Sequence, residues 1–231
     1  MKIVMITGSP HRHGTSALLA DAFIQGAQEA GHTVFRFDAA FQELHPCRAC
    51  ERCHNTDKGC IYKDGMEELN PHLLEADLVA FASPIYYYDW SAQLKLAIDR
   101  FYANSTALRT PKKAVLLLTM EDDTMESAAG AVLSFQGMTN YLGWERVGVI
   151  SALSCGDLAA MERTDYPQQA YELGKNLRYK PVGRPESTGR PIFVLEGNPL
   201  RAKDFPNGRV EKRGKRVDEL VRFLYDFCMP V

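Results

Sequence analysis

Four of the six cysteines fall within fifteen residues, in the stretch PCRACERCHNTDKGC that begins at position 46. Their spacing is Cys47-x2-Cys50-x2-Cys53-x6-Cys60. Thiolates with two residues between them can converge on one centre, as they do in ferredoxin loops. Zinc ribbons usually place about a dozen or more residues between two such pairs, so zinc is the less typical occupant. The spacing leaves open a metal cluster, a redox disulfide or a loop of free thiols.

The stretch TGSPHRHGTS (7–16) offers a second kind of chemistry, because it follows an apolar run and opens a helical pattern. It has neither the Gly-Lys-Ser/Thr ending of a Walker A loop nor the pattern G-x-G-x-x-G. Free backbone N–H groups and the positive end of a helix dipole form an anion site, most often for phosphate. The polar candidates are Thr7, Ser9, His11, Arg12, Thr15 and Ser16. The alternative is that these hydroxyls only cap the helix.

Three tyrosines and a tryptophan follow an apolar run in the stretch SPIYYYDWSAQLKLAIDRF (83–101). Such a cluster suits the planar face of a flavin or of its substrate, and the alternative is a packed aromatic core. We expect Pro84 to end the preceding strand and to fix a turn. The backbone N–H groups from Ile85 to Tyr88 would then point outward, where a flavin ring needs donors on reduction.

The elements that must position these stretches alternate between strands and helices. Continuous or alternating apolar runs predict strands at 2–7, 32–38, 77–83, 113–120 and 145–153. Helical spacing of apolar residues predicts helices at 15–31, 65–76, 92–103, 126–143 and 166–179. Five successive strand–helix units predict an α/β fold, a doubly wound five-stranded parallel sheet with helices on both faces. Five strands favour the flavodoxin-like order 2-1-3-4-5.

The composition changes after residue 179, where Pro and Gly become frequent. We therefore predict a domain at 1–180 and a C-terminal arm at 181–231. Within the arm, 192–197 is typical of an added strand and 210–227 of an amphipathic helix.

Composition also excludes several classes of protein. The net charge of −2 gives no electrostatic basis for binding nucleic acid or a membrane surface. Since no apolar run approaches the length of about 20 residues that spans a bilayer, and the N-terminal run is too short for a signal peptide, we expect a cytoplasmic protein. Clustered thiols in that compartment favour metal binding or catalysis over structural disulfides.

Taken together, the three stretches resemble the NADPH-dependent FMN reductase branch of the flavodoxin-like superfamily in order and spacing. More narrowly, the sequence is similar to the iron–sulfur flavoproteins and their clusterless relatives, over about residues 1–150. One departure is Asp64-Gly65-Met66, where the family often has Asp-Asp-Met. The resemblance implies that the FMN phosphate is held by Ser9, Arg12, Thr15 and Ser16. It also implies that the isoalloxazine ring is lined by Pro84, Ile85, Tyr86, Tyr87 and Tyr88.

The resemblance further implies an FMN-dependent oxidoreductase that takes electrons from NAD(P)H and passes them to a quinone, flavin, azo or nitro compound. The alternative is an electron carrier between ferredoxin and FMN, with a [4Fe–4S] cluster on Cys47, Cys50, Cys53 and Cys60. A clusterless thiol loop, zinc, a regulatory disulfide and a non-enzymatic sensor stay open as alternatives. No catalytic side chain is required, because the flavin carries the chemistry. A homodimer or homotetramer is expected.

Overall fold

The computed structural model describes residues 1–56 and 58–178, which form one α/β sheet domain. The strands are β1 (Lys2–Thr7), β2 (Thr33–Asp38), β3 (Leu78–Tyr86), β4 (Asp89–Trp90), β5 (Lys113–Thr119) and β6 (Glu145–Ala152). The helices are α1 (Thr15–Glu29), α2 (Arg52–Asn55), α3 (Met66–Glu75), α4 (Ala92–Asp99), α5 (Ser105–Leu108), α6 (Ala129–Leu142), α7 (Leu158–Glu162) and α8 (Tyr166–Lys175). Short 3₁₀ turns lie at Ala39–Phe41, Arg100–Asn104 and Met125–Ala128.

Five parallel strands are hydrogen-bonded in the order β2-β1-β3-β5-β6, and the two-residue strand β4 pairs antiparallel with the end of β3. With β4 set aside, this is the predicted order 2-1-3-4-5, so the predicted fold class is confirmed. The register places Thr7 of β1 beside Ala82 of β3, and Pro84 of β3 beside Thr119 of β5. The loops that follow these strands therefore leave the sheet at the same edge, its carboxyl edge, where open α/β sheets bind ligands.

The apolar runs form strands because helices cover both faces of the sheet. All seven residues of β5 and the last five of β1 are buried. One face packs against α1 and α8, with Leu19, Phe23 and Ala170 in its core. The opposite face packs against α3, α4 and α6, with Leu73 and Phe135 among its core residues. A strand covered on both sides reads as a continuous apolar run, which explains why the sequence indicated these strands clearly.

The structure corrects one boundary that bears on function. The third strand does not end at residue 83 but continues through Pro84 to Tyr86. A proline is tolerated here because β1 has already ended, so that side of β3 needs no N–H donor for a neighbouring strand. The tyrosine turn therefore comes three residues later than predicted. The helix predicted at 92–103 ends at Asp99, and a 3₁₀ turn follows it.

The predicted strand at 192–197, the predicted helix at 210–227 and the arm as a whole lie outside the described residues. Over residues 1–56 and 58–178, none of the helices has the length and hydropathy that crossing a bilayer requires.

Candidate functional site

The loop between β1 and α1 is joined directly to the start of α4. The N–H of Gly8 donates to the carbonyl oxygen of Ala82 at 2.9 Å, and the Ser91 hydroxyl donates to the carbonyl oxygen of Gly8 at 2.7 Å. A Cβ atom at position 8 would lie 2.4 Å from the Ser91 oxygen, so only glycine allows this approach. Ser91 also caps α4 by accepting from the N–H of Leu94. The two loops expected to bind a cofactor are thus held together at their bases.

Helix α1 begins without a side-chain cap. Its N-cap residue is Gly14, no side chain of the described residues bonds to its first N–H groups as a cap, and its first turn contains no acidic residue. The first N–H groups of a helix have no partner within the helix. This end of the helix is therefore free to receive an anion.

A cavity of about 330 Å³ lies beside this loop. Its lining is rich in basic side chains and includes two acidic ones, one on α1 and one on β2. The lining residues are Thr7, Ser9, His11, Arg12, His13, Ala17, Asp21, Arg36, Asp38 and Phe41. The Arg12 guanidinium lies 3.7 Å from the centre of the Phe41 ring, and Arg36 is paired with both Asp21 and Asp38. Because Arg36 is already neutralised by these carboxylates, Arg12 and the two histidines are the groups left to meet an anion.

The four predicted phosphate ligands differ in their surroundings. Ser9 lines the cavity, and its hydroxyl accepts from the N–H of His11 at 3.2 Å. Ser16 is buried, and its hydroxyl is 2.6 Å from that of Thr119 at the end of β5. The Thr15 hydroxyl donates to the same Thr119 oxygen at 3.3 Å. Ser9 and Arg12 are thus brought together at the cavity, whereas the hydroxyls of Thr15 and Ser16 are engaged with β5.

The tyrosines form the tip of a β-hairpin. Tyr86 pairs with Asp89, which leaves Tyr87 and Tyr88 as a two-residue turn with φ values of 49° and 66°. Two successive residues with positive φ define a type I′ turn, which usually contains Asn or Gly. Tyr87 is fully exposed and Tyr88 is 65% exposed. The chain therefore adopts a strained backbone and presents two aromatic rings to solvent at the carboxyl edge.

Beneath this turn, Trp90 is only 6% exposed, and its Nε1 has no hydrogen-bond partner among the described residues. A buried donor is normally satisfied by protein, water or ligand. An unpaired indole N–H directly after the tyrosine turn fits a site that is completed by a ligand. The carbonyl oxygen of Tyr88 approaches α6 so closely that a Cβ atom at Gly130 would lie 2.6 Å from it. The turn is thus fixed on α6 as well as on β3.

The four clustered cysteines line one small cavity of about 20 Å³. All are free thiols, and Cys47 and Cys50 are exposed. Among the described residues, no three His, Cys, Asp or Glu side chains are placed so that they could hold a metal ion. Burial raises the pKa of the Cys53 thiol, and the nearby Cys60 and Cys47 also raise it, against a backbone hydrogen bond that lowers it. The loop therefore gathers four free thiols around one cavity, in an arrangement that does not by itself form a metal site among the described residues.

A buried ion pair supports this cavity from below. The side chains of Arg100 and Asp64 are 2% and 1% exposed, and two hydrogen bonds of 2.6 and 3.2 Å join them. Arg100 also donates to the Cys60 sulfur at 3.4 Å and to the carbonyl oxygen of His45 at 2.7 Å. Burial would raise the pKa of Asp64, but the hydrogen bonds from Arg100 and from the N–H groups of His45 and Met66 lower it overall.

The same 3₁₀ turn, Arg100–Asn104, makes a second contact with the cysteine loop. The Tyr102 hydroxyl donates to both carboxylate oxygens of Glu51, at 3.0 and 2.8 Å. The His54 ring bonds to the carbonyl oxygen of Tyr102 at 2.9 Å. Because Arg100 and Tyr102 both follow α4, this one turn holds the last cysteine and the short helix α2.

Residues 1–143, more than half of the chain, match the family model described as NADPH-dependent FMN reductase. The chain belongs to this family. The sequence-based prediction of the family and of FMN as its cofactor is thereby confirmed. The family match ends before β6, at the end of α6.

Two curated relatives of this FMN reductase family member carry the name iron–sulfur flavoprotein. The one from Archaeoglobus fulgidus is 36% identical over 101 residues, which cover 43% of this chain and 45% of the relative. The one from Methanosarcina thermophila is 31% identical over 143 residues, which cover 61% of this chain and 65% of the relative. The chain thus matches less than two thirds of the length of either relative.

Two solved structures share the fold. An NAD(P)H:quinone oxidoreductase from Methanothermobacter marburgensis has a TM-score of 0.63 and 21% identity, and the match covers 77% of this chain and 96% of that one. An azoreductase from Bacillus anthracis has a TM-score of 0.57 and 20% identity, covering 77% of this chain and all of that one. At this identity the likeness shows the fold alone.

Several residues of the site were not found from the sequence. Arg36, Asp38 and Phe41 line the larger cavity, and Arg100 and Asp64 support the cysteines. One signal was available for Arg100, because it stands between Ala97 and Phe101 on a helical pattern whose apolar residues are buried. Cys155, which lies outside the cysteine cluster, is a buried thiol with 1% exposure.

Proposed function

We propose that the protein is an FMN-dependent oxidoreductase that accepts electrons from NAD(P)H and passes them to a quinone, flavin, azo or nitro compound. The observation that carries this proposal is the uncapped N-terminus of α1, which opens beside a cavity of about 330 Å³ in a chain of the FMN reductase family. FMN, when bound, supplies the hydride and electron transfer chemistry.

The residues present fit the phosphate of FMN. Ser9, Arg12, Thr15 and Ser16 are the proposed ligands. Arg12 supplies the positive charge, and the uncapped helix supplies the backbone N–H groups of Thr15 and Ser16. Since the hydroxyls of these two residues already bond to Thr119, we assign their contribution to the backbone.

The isoalloxazine ring is assigned to Pro84, Ile85, Tyr86, Tyr87 and Tyr88. The exposed rings of Tyr87 and Tyr88 provide aromatic surface, and the buried N–H of Trp90 is an additional donor that has no partner in the described chain. We also propose a homodimer or homotetramer, because a neighbouring subunit would cover the tyrosine rings that are now exposed. A cytoplasmic location, where thiols stay reduced, suits this function.

The proposal is tested by cofactor content and turnover. Protein purified in the dark and denatured should release stoichiometric FMN, and the intact protein should oxidise NADPH or NADH steadily when a quinone is added. Replacing Arg12 by Ala should lower the affinity for FMN without unfolding the protein. Lys95→Gln, which removes an exposed cation on α4, is the matched control. Protein that neither contains FMN nor binds it on titration contradicts the proposal.

A second candidate is an electron carrier between ferredoxin and FMN, with a [4Fe–4S] cluster on Cys47, Cys50, Cys53 and Cys60. The shared lining of one cavity by all four thiols favours it, and two relatives are named iron–sulfur flavoproteins. The donor set fits a cluster in number and chemistry. A cavity of about 20 Å³ is near the size of one water molecule, so the cysteine loop would have to open to admit a cluster.

Anaerobic metal analysis of fresh protein separates the two candidates. The carrier should contain about four irons per chain, and Cys53→Ser should remove the iron while FMN stays bound. It should also fail to oxidise NAD(P)H steadily with an added acceptor. Absence of both iron and zinc from anaerobic protein would leave the cysteines as a thiol loop beside the flavin.

A further inference from the structure

Arg100 is a buried residue that donates hydrogen bonds directly to the cysteine loop and to the segment before it. Its guanidinium has two ends. Nη1 donates to the His45 carbonyl oxygen and to Asp64, while Nη2 donates to the Cys60 sulfur and to Asp64. His45 lies two positions before the first cysteine, and Cys60 is the last. One buried side chain therefore contacts both ends of the four-cysteine loop.

Asp64 fixes the guanidinium in this orientation. Both of its carboxylate oxygens accept from Arg100, and its position is fixed in turn by the N–H groups of His45 at 3.0 Å and Met66 at 3.2 Å. The Tyr62 ring lies 5.2 Å from the guanidinium carbon and stacks on the His45 ring at 4.5 Å. The planar fork of arginine meets both carboxylate oxygens, a carbonyl oxygen and a sulfur in one fixed geometry, and the ammonium group of lysine has too few donors for these four hydrogen bonds.

We propose that Arg100 is the positioning residue of the four-cysteine loop, which holds Cys60 against the shared cavity and places a positive charge beside the sulfurs. The inference rests on the second candidate above, in which the four cysteines act as one ligand set. Four thiolates around a metal carry excess negative charge. A buried cation that donates to one of the sulfurs stabilises that charge and restricts the position of the sulfur.

The position of Arg100 also relates the loop to the proposed flavin site. It directly follows α4, whose N-cap Ser91 bonds to Gly8 in the loop between β1 and α1. An eight-residue helix is about 12 Å long, so α4 acts as a spacer between these two points. Arg100 therefore holds the cysteine loop at a set distance from the loops that we assign to FMN.

The experiment uses Cd²⁺ as the probe, because it is a redox-inert ion that soft thiolates bind well. The reduced, FMN-loaded full chain is titrated anaerobically, and sulfur-to-cadmium charge-transfer absorption gives both affinity and thiolate number. Arg100→Lys keeps the charge for Asp64 and removes the fork. We expect it to weaken Cd²⁺ binding about 10- to 100-fold, as loss of an outer-shell partner typically does. The absorption at saturation should fall by about a quarter, since one thiolate of four is lost.

Three controls separate the possible causes. Lys95→Gln removes an exposed cation from α4 and should bind Cd²⁺ like the wild type. FMN content should be equal in all variants, which shows that the domain is folded. In a Cys60→Ser background, Arg100→Lys should have no further effect, because Arg100 acts through Cys60.

Equal Cd²⁺ affinity and absorption in wild type and Arg100→Lys would overturn the role of Arg100, as would an undiminished effect in the Cys60→Ser background. If Arg100→Lys does not fold, Asp64→Asn is used instead; it removes one of the two carboxylate acceptors that orient the guanidinium and should also weaken Cd²⁺ binding. Unchanged binding in that variant would also overturn the inference. The proposal that the four cysteines form one ligand set would be overturned if the wild-type protein bound no Cd²⁺. It would also be overturned if Cys53→Ser bound Cd²⁺ with the same affinity as the wild type. Either result would overturn the role of Arg100 too.

Discussion

The loop that follows β1 and the cysteine loop that follows β2 both leave the carboxyl edge of the sheet, and they are held in different ways. The β1–α1 loop is short and fixed by its own backbone and by the contact between Gly8 and Ser91. Its charged residue, Arg12, stays exposed over the Phe41 ring. The cysteine loop is longer and is held by Arg100 and Tyr102, which come from a turn about 40 residues further along the chain.

The arginines at the two loops also differ, in their burial and in their charged partners. Arg12 has no carboxylate partner in the structure's described part, whereas Arg100 is buried with Asp64. An exposed cation at a helix N-terminus is available to a ligand, while a buried and paired cation is available only to the loop that it contacts. Substitutions in the first loop should therefore change ligand binding, and substitutions around the second should change stability first.

The largest effect is expected for Arg100→Ala. It leaves the Asp64 carboxylate buried without its partner, and breaking a buried pair in this way costs about 3–5 kcal/mol of unfolding free energy. Urea unfolding followed by circular dichroism gives this value. Arg12→Ala, the matched change at an exposed arginine, should leave the urea midpoint nearly unchanged. Similar midpoints for the two variants would show that the two loops are not held differently.

A somewhat smaller effect is expected for Asp64→Asn, about 2–3 kcal/mol at pH 7, since the amide keeps the shape and still accepts one hydrogen bond. The pKa of Asp64 is lower in the folded protein than in the unfolded chain. The ionised carboxylate therefore stabilises the fold above about pH 4, and this stabilisation is lost as the pH falls through the lowered pKa. The difference in unfolding free energy between wild type and variant should be largest near neutral pH and should disappear in acid. A difference in unfolding free energy that does not change with pH would show that ionisation of Asp64 is not its cause.

For FMN binding, Arg12→Ala is expected to cost about 1.5–3 kcal/mol, the usual size of a hydrogen bond to a charged group. This corresponds to a dissociation constant raised about 10- to 100-fold. Fluorescence titration of apoprotein with FMN measures it. Arg109→Ala, which removes an arginine that lies over the Tyr141 ring, is the control and should bind FMN like the wild type. Equal affinities in the two variants would place the phosphate elsewhere.

The smallest effect concerns the tyrosine turn. Tyr87→Gly removes a bulky residue from positive φ and should stabilise the protein by about 1 kcal/mol, because the left-handed conformation costs an L-residue roughly that much. Tyr86→Gly, one position earlier in the strand, should instead destabilise it by about 0.5–1 kcal/mol. Thermal unfolding of the apoproteins compares them. A destabilised Tyr87→Gly would mean that the turn is not strained.

The sequence was sufficient for the sheet because its signals are local. Strands buried on both faces, such as 2–7 and 113–120, are continuous apolar runs, and the helices between them keep their apolar spacing. The loop between β1 and α1 could be identified for the same reason, since its hydroxyls, its glycines and the helix start lie together in the chain. The structure then showed Ser16 bonded to Thr119 rather than facing the cavity, because that contact depends on how β5 packs beside α1.

The remaining features depend on contacts between distant residues. Nothing in the sequence near Arg100 indicates that it pairs with Asp64, which lies 36 positions earlier. The continuation of β3 beyond Pro84 depends on where β1 ends and β5 continues, so the local signal of a proline before three tyrosines predicted the turn too early. Spacing alone placed the four cysteines in one loop, and tertiary contacts determine where that loop is held.

The central claim is that this chain binds FMN and uses it to oxidise NAD(P)H. The most direct measurement is a single experiment on freshly purified, anaerobic protein: mix it with NADPH, record the flavin absorption, and then add a quinone. We predict that the yellow flavin bands bleach with NADPH and return when the quinone is added, with steady NADPH consumption afterwards. Flavin bands that neither NADPH nor NADH changes would contradict the claim that this chain uses FMN to oxidise NAD(P)H.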